Sequence, residues 1–189
     1  ATVKGTDAGS YDMKLKPEDF KNTSENFTNV EFVIVDGTLE ISKRSVTLTS
    51  ATDDKVYDGE ALTNNEVTVG GDGFAEGEGA TYAVTGTITE VGETANTFSY
   101  TLNEGTKAAN YDIKTTEGTL KVTALTDKVT VTITENIGSE KYDGKEKTVS
   151  GYTVSIDNEL YKESYFTFSG DATVKGTDAG SYDMKLKPE

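Results

Sequence analysis

The stretch that decides the organisation of this chain occurs twice. Residues 1–18 read ATVKGTDAGSYDMKLKPE, and residues 172–189 read the same, letter for letter, 171 positions later. Eighteen identical residues do not recur by chance, and self-similarity at a fixed period is typical of tandem arrays. We therefore expect a longer parent protein built from near-identical repeats, of which this chain covers one period and an overlap.

A weaker repeat divides that period in two. Residues 55–59 read KVYDG and residues 141–144 read KYDG, with their tyrosines 85 positions apart. The motif Gly37-Thr38-Leu39 returns as Gly118-Thr119-Leu120, 81 positions later. The period thus holds two related units of about 85 residues each, which is the size of a small β-sandwich domain.

Short runs rich in β-branched and aromatic residues follow one another along the chain. They are bounded by Gly, Asp and Asn, and this pattern is typical of β-strands. Only residues 17–21 are compatible with a helical turn. We predict an all-β fold of tandem sandwich units, with strands at residues 31–35, 38–41, 45–49, 82–89, 97–102, 119–123, 128–134, 152–156 and 165–168.

The repeat also predicts the domain boundaries. Residues 44–124 form one complete unit, residues 1–43 the C-terminal half of a second unit type, and residues 125–189 the N-terminal part of that second type. The connections at residues 42–44 and 124–127 are short and contain no glycine, so we expect a stiff array.

The composition excludes several classes of function. The chain of 189 residues has 18 Lys and Arg against 33 Asp and Glu, a formal charge of −15, and it lacks His and Cys. This acidity argues against nucleic-acid binding, and no apolar run approaches the roughly 20 residues of a membrane span. Without imidazole or thiol groups, common general bases, nucleophiles and zinc ligands are missing. We expect no enzyme, no cofactor and no membrane insertion.

The motifs resemble those of a known repeat family. The YDG triplet at Tyr57, the sequence NYDI at residues 110–113 and GTL at residues 118–120 are similar to the MBG/YDG-type repeat of large bacterial surface proteins and adhesins. The resemblance implies an Ig-like extracellular domain, repeated as a stalk on a bacterial cell surface or cell wall. It implies no catalytic residues.

Turn chemistry accounts for the two motifs. In YDG, Asp bonds its own backbone, Gly supplies a positive φ, and the Tyr ring anchors the loop. A ligand-facing Tyr-Asp pair is the alternative. The Gly-Thr-Leu motifs are interpreted as hairpin turns before a last strand.

Two further chemistries stay open. Carboxylates that could bind Ca²⁺ occur in two clusters, although neither has a known calcium spacing: Asp53, Asp54 and Asp58, and Asp72, Glu76 and Glu78. A Lys–Asn isopeptide bond could use Lys121 or Lys128, with no Asn singled out. We predict no catalytic, cofactor or metal residue.

The predicted partner is a neighbouring identical repeat. A chain that is cut through one unit at both ends exposes unpaired sheet edges, which are templates for strand addition. We therefore expect head-to-tail association between copies, with one copy of the 18-residue sequence displaced or redundant. The alternative partner is a host glycan or protein bound by exposed tyrosines, for which the candidates are Tyr57, Tyr82, Tyr152, Tyr161 and Tyr165.

Overall fold

The chain folds as an all-β protein. The computed structural model describes residues 1–186, and within them the only helical elements are the single 3₁₀ turns Pro17–Asp19, Ala108–Asn110 and Glu163–Tyr165. The strands are β1 Gly9–Asp12, β2 Thr38–Ile41, β3 Arg44–Ser50, β4 Asp53–Val56, β5 Val67–Gly71, β6 Ala80–Val84, β7 Gly92–Asn96, β8 Phe98–Leu102, β9 Tyr111–Thr116, β10 Gly118–Thr123, β11 Val131–Glu135, β12 Lys147–Ser150, β13 Tyr152–Ile156 and β14 Thr173–Gly176.

The strands belong to two compact units. The first is Ala1–Ala124 and the second begins at Leu125. The predicted division into segments 1–43, 44–124 and 125–189 stays a prediction, and residues 187–189 of its last segment lie outside the described residues.

Two three-stranded sheets form most of the first unit. In one, β3 lies between β5, to which it is antiparallel, and β9, to which it is parallel. In the other, β10 lies between β4, in parallel, and β7, in antiparallel orientation. β6 pairs with β8, and β1 with β2, both antiparallel.

Two chain segments pass from one of these sheets to the other side by side. β3 leads into β4, and β9 leads into β10 across the single residue Glu117. The prediction of a hairpin turn at Gly118 is wrong, because β9 and β10 pair in different sheets. A Cβ on Gly118 would overlap the carbonyl oxygens of Ser50 and Ala51, so the close approach requires glycine. Gly37 is not a hairpin turn either, since no described strand directly precedes β2.

A buried polar cluster fixes the crossing. Ser50 Oγ donates to the carbonyl oxygen of Asn96 at 2.6 Å and accepts the Gly118 N–H at 3.0 Å. The Asn96 amide donates to the carbonyl oxygens of Ala51 and Asn64 at 3.0 and 2.8 Å. Ser50 and Asn96 are both buried, so their side chains need hydrogen-bond partners, and these bonds supply them from the backbone of neighbouring segments.

The apolar core of the first unit follows the same two sheets. One cluster is centred on Val46 and Leu48 of β3 and Tyr111 of β9, with Phe74, Tyr82 and Phe98 packed against it. The second consists of Leu62, Leu120 and Val122, with Tyr57 and Ile88 at its margin.

The second unit contains two-stranded sheets among its described residues, β11 with β13 and β12 with β14, both antiparallel. The β11–β13 register repeats the β3–β5 register at the same spacing that separates the two YDG motifs. Val46 lies opposite Gly71, and Val131 lies opposite Ile156. The two strand pairs therefore have the same register.

A second register also recurs. Gly92 lies opposite Val122 in the β7–β10 pair, and Gly9 lies opposite Ile41 in the β1–β2 pair. The threonine of the Gly-Thr-Leu motif thus occupies the same place in both ladders, with Thr119 opposite Ala95 and Thr38 opposite Asp12.

The predicted strands agree in part with the observed ones. The strands at 38–41 and 152–156 are confirmed, those near 45–49, 97–102 and 119–123 within a residue or two, and the turn at Pro17 is also confirmed. The strand predicted at 82–89 ends at Val84, and the one at 128–134 begins at Val131. The strands predicted at 31–35 and 165–168 are wrong. Seven of the described strands were missed because glycine or charged residues dilute the pattern in each of them: β1, β4, β5, β7, β9, β12 and β14.

Candidate interaction surface: an unpaired segment and two open grooves

Residues 30–35, which we call the unpaired segment, read VEFVIV and lie outside any strand. Val33 is 76% exposed and Val35 91%. Phe32 is half-buried and stacks on Phe20, with ring centroids 5.8 Å apart. Alternating β-branched residues have high strand propensity, so the strand is missing because nothing in the first unit pairs with it, rather than because the sequence disfavours it.

The second unit exposes an apolar groove beside β11 and β13. It measures about 680 Å³. Ile133 is 41% exposed there, although Leu48, at the equivalent place in the β3–β5 register, is fully buried. The groove is lined mainly by apolar side chains, among them Val131, Ile133, Tyr152, Tyr161, Phe168 and Leu186.

A second groove of about 520 Å³ also lies within this unit. Two stretches of the chain, 138–142 and 176–184, contribute much of its lining. In the first unit the matching positions are β4 and β7, with β10 lying between them. The second groove therefore has the position that a strand equivalent to β10 would occupy.

The YDG turns have the predicted turn chemistry. The Asp58 carboxylate accepts the Glu60 N–H at 2.9 Å and the Lys55 ammonium at 2.6 Å, and Gly59 has φ +83°. The hydrogen bond from Lys55 is the main reason that the pKa of Asp58 lies below its usual value.

The second YDG turn repeats this arrangement. Asp143 accepts the Lys145 N–H at 3.0 Å and the Lys147 ammonium at 2.8 Å, and Gly144 has φ +76°. Lys147 follows its aspartate in the sequence whereas Lys55 precedes its own, but each carboxylate accepts one backbone N–H and one lysine ammonium. Tyr57 packs at the margin of a core cluster, whereas Tyr142 is 67% exposed.

Four of the six acidic residues considered for Ca²⁺ accept hydrogen bonds from other groups of the first unit, Asp58 in the turn described above. Asp53 accepts a hydrogen bond from Asn64, Asp72 accepts the Ser45 N–H, and Glu78 accepts the Tyr111 hydroxyl. Burial and, secondly, the bond to Glu78 raise the pKa of Tyr111. Among residues 1–186, no three acidic side chains gather closely enough to hold a metal ion.

The lysines considered for an isopeptide bond have other surroundings. Lys121 is half-exposed and its ammonium lies 2.6 Å from a carboxylate oxygen of Glu93. That contact with an acid raises the pKa of Lys121. Lys128 is exposed. Neither environment resembles the buried one that such a bond requires.

The five candidate tyrosines divide into three groups. Tyr57 and Tyr82 pack against the two core clusters of the first unit. Tyr152 and Tyr161 line the apolar groove, and Tyr152 makes an edge-on contact with Phe168, at a centroid distance of 5.4 Å. Tyr165 is 58% exposed. Of the five, Tyr165 presents the most surface to a ligand.

One polar contact was missed by sequence reasoning. The Asp7 carboxylate accepts hydrogen bonds from the Lys107 ammonium at 2.8 Å and from the Asn110 amide at 3.0 Å, and Asn110 Oδ1 accepts the Ala8 N–H at 2.8 Å. These bonds join the first copy of the 18-residue sequence to the 3₁₀ turn before β9. Residues so distant in the chain share no local pattern that could have revealed them.

Within the described residues, no helix has the length and apolar character to cross a membrane. Comparisons with family models, curated proteins and solved structures gave no match for this chain.

Proposed function

We propose that this chain is a spacer segment from the stalk of a large bacterial cell-surface adhesin, in which Ig-like sandwich units of two types alternate in tandem and hold a binding region away from the cell. The observation that carries the proposal is the identical recurrence of residues 1–18 at 172–189. An identical copy after a full period is what an array of repeats produces.

The sheet registers support the same proposal. The strand pairs β3–β5 and β11–β13 have the same register at the spacing of the YDG motifs, and the β1–β2 and β7–β10 pairs share their register around the Gly-Thr-Leu motif. Two stretches with a common strand pairing are expected if each unit type descends from one domain. The strongly acidic composition is suited to keeping a long exposed array soluble.

The test is to join two, four and six complete periods in frame and to measure the maximum dimension by small-angle X-ray scattering. A spacer should lengthen in proportion to the number of periods, because each repeat contacts only its neighbours. A maximum dimension that grows only with the cube root of the mass would contradict the spacer function.

One observation favours a second function, binding of a host glycan or protein. Tyr165 is exposed and its ring meets Tyr161 edge-on at a centroid distance of 5.6 Å, and exposed aromatic faces anchor sugar and protein contacts. A glycan array or mucin pull-down on a complete repeat tests it. Saturable binding that Tyr165→Ala abolishes, and that Tyr100→Ala leaves intact, would support this function.

A further inference from the structure

We propose that the second unit of one chain is completed by residues 30–41 of a second copy, which insert as two strands into its open sheets. The inference rests on the repeat architecture proposed above, in which the equivalent strands of a following repeat would fill the same places. For the chain of 189 residues it adds the occupant, the register and the strand that is exchanged. It begins from a difference between the strand pairs β3–β5 and β11–β13, which have the same register. β3 has a parallel neighbour, β9, on the side away from β5, whereas among residues 1–186 β11 pairs with β13 alone.

The unpaired segment has the right position to supply the missing strand. The Gly-Thr-Leu motif at Gly37 lies 81 residues before the one at Gly118, which opens β10. Counting 81 residues back from β9, Tyr111–Thr116, gives residues 30–35. Applying the β3–β9 register places Phe32 of the second copy beside Val131 and Ile34 beside Ile133. These two side chains occupy the positions of Ile113 and Thr115 in β9, on the face where Tyr111 is buried.

The apolar groove fits this occupant. Val30, Phe32 and Ile34 alternate with Glu31, Val33 and Val35, so in an extended strand three apolar side chains enter the groove and the others face away. The groove is lined by residues at the places where β3 and β5 build the first core cluster, and Tyr111 of β9 completes that cluster.

The second groove fits residues 38–41, which form β2. The β4–β10 register places residues 39–41 parallel to residues 138–140, of which Gly138 and Glu140 line the groove. The groove is also lined by Gly180–Asp183, which are identical to Gly9–Asp12 of β1. In the β1–β2 register, Ile41 of the second copy lies opposite Gly180 and Thr38 opposite Asp183.

The exchange is therefore close to neutral for the strand that moves. β2 leaves Gly9–Asp12 of its own chain and pairs with an identical sequence in the next chain, as in domain swapping. The gain comes from the new parallel pairing with residues 138–140 and from covering the apolar groove, which removes apolar surface from water. The contact joins different surfaces of the two copies, so it does not close and leads to chains of copies.

Cysteine cross-linking tests the register directly, since the chain has no cysteine. In the proposed pairing Val33 lies beside Thr132, as Lys114 lies beside Thr47. Neighbouring strands are about 4.8 Å apart, within the Cα separation that a disulfide accepts. On oxidation, Val33→Cys with Thr132→Cys should give a ladder of dimers, trimers and larger species that a reductant dissolves.

The matched control moves one cysteine by two residues along the same face. Val35→Cys with Thr132→Cys adds about 6.6 Å along the strand and should cross-link at least about tenfold less. Equal ladders for both pairs would overturn the register. A disulfide formed only within single chains would overturn the exchange between copies.

A second pair of variants tests the occupant without cross-linking. Ile34→Asp places a charge in the apolar groove and should weaken self-association, measured by light scattering across concentration, at least about tenfold. Val33→Asp adds the same charge on the outward face and should change it much less. Circular dichroism checks that both variants keep the fold. A wild-type chain that stays monomeric at all concentrations would overturn the proposal, whereas the scattering of in-frame concatemers would still test the spacer function.

Discussion

The strand pairs β3–β5 and β11–β13 have the same register but differ in burial. Leu48 in β3 is fully buried, and Ile133 at the same place in β11 is 41% exposed. The difference lies in the neighbours, because β9 covers one edge of β3 and no described strand covers the matching edge of β11. The pairing of β11 with β13 thus exists without a third described strand, whereas the buried core around β3 also needs β9, which is distant in sequence.

The two copies of the 18-residue sequence lead to the same conclusion. In the first copy residues 9–12 form a strand, with β2 as partner; in the second, residues 173–176 do, with β12 as partner. Local contacts are equal in both copies, since the Tyr11 hydroxyl donates to the Asp7 carbonyl oxygen and the Tyr182 hydroxyl to that of Asp178. One sequence therefore forms different strands according to the partner that is present.

The largest effect is expected where burial differs most. Leu48→Ala should lower the free energy of unfolding of the first unit by about 2–5 kcal/mol, because it leaves a cavity in a packed core. Ile133→Ala should cost about 1 kcal/mol, since its side chain is already partly in water. Residue-resolved amide exchange measures both costs in one chain. Equal costs would mean that Leu48 and Ile133 are equally buried in the two strand pairs.

A glycine pair at matching positions tests the crossing between sheets. Gly118→Ala should destabilise the first unit by about 1–3 kcal/mol, because its Cβ overlaps the backbone of Ser50 and Ala51. Gly37→Ala should change stability by at most about 0.5 kcal/mol, since the nearest atom, Met13 Cε, is at an ordinary contact distance of 3.7 Å. Urea unfolding measures both. A large loss for Gly37→Ala would show that this position is already crowded.

The residues explain how much the sequence could predict. Thr38–Ile41 and Tyr152–Ile156 were predicted with the correct bounds because β-branched residues alternate between turn signals. The sequence around Gly118 predicts a hairpin turn, whereas the structure has a crossing between two sheets. A glycine between two strands has the same local signature in a hairpin and in a crossing. The segment 31–35 was predicted as a strand on a sound pattern, but a strand also needs a partner, and the pattern does not contain it.

The candidate surface was predictable in outline only. The repeat predicts open sheet edges, because it fixes where each motif should recur. It could not indicate the grooves, one of which joins the stretch 138–142 to residues 176–184, or the contact of Asp7 with Lys107. Such contacts depend on the fold of the whole unit and leave no spacing in the sequence.

Alkaline pH should lower the stability of the first unit through the buried Tyr111 of β9. The unpaired segment has Val30 at the matching position and therefore no group that titrates there. Burial, and then the bond to Glu78, raise the pKa of Tyr111 in the folded chain. This stabilisation is fully present below the unfolded pKa of about 10 and is lost as pH rises through the folded value. Tyr111→Phe should therefore flatten the alkaline decline in the stability of the first unit. Thermal unfolding between about pH 8 and 11 measures it, with Tyr100→Phe as the control; a decline that Tyr111→Phe leaves unchanged would assign it to other groups.

The smallest effect should distinguish the two copies of the 18-residue sequence themselves. The pKa of Asp7 is lowered first by the hydrogen bond from Asn110 and then by that from Lys107. Its contribution is therefore present above the unfolded pKa and is lost as pH falls through the lower folded value. Because these side chains are largely exposed, the contribution is small and weakened by salt.

Carbon-detected NMR titration of the Asp7 carboxyl should give a lowered pKa that Asn110→Ala returns towards the ordinary range. Asp7→Asn should remove this part of the acid dependence, while Asp178→Asn, with the same sequence neighbours and no cation paired to it among the described residues, should not. Equal responses of the two variants would show that the sequence around the aspartate, rather than its contact with the 3₁₀ turn, sets its behaviour.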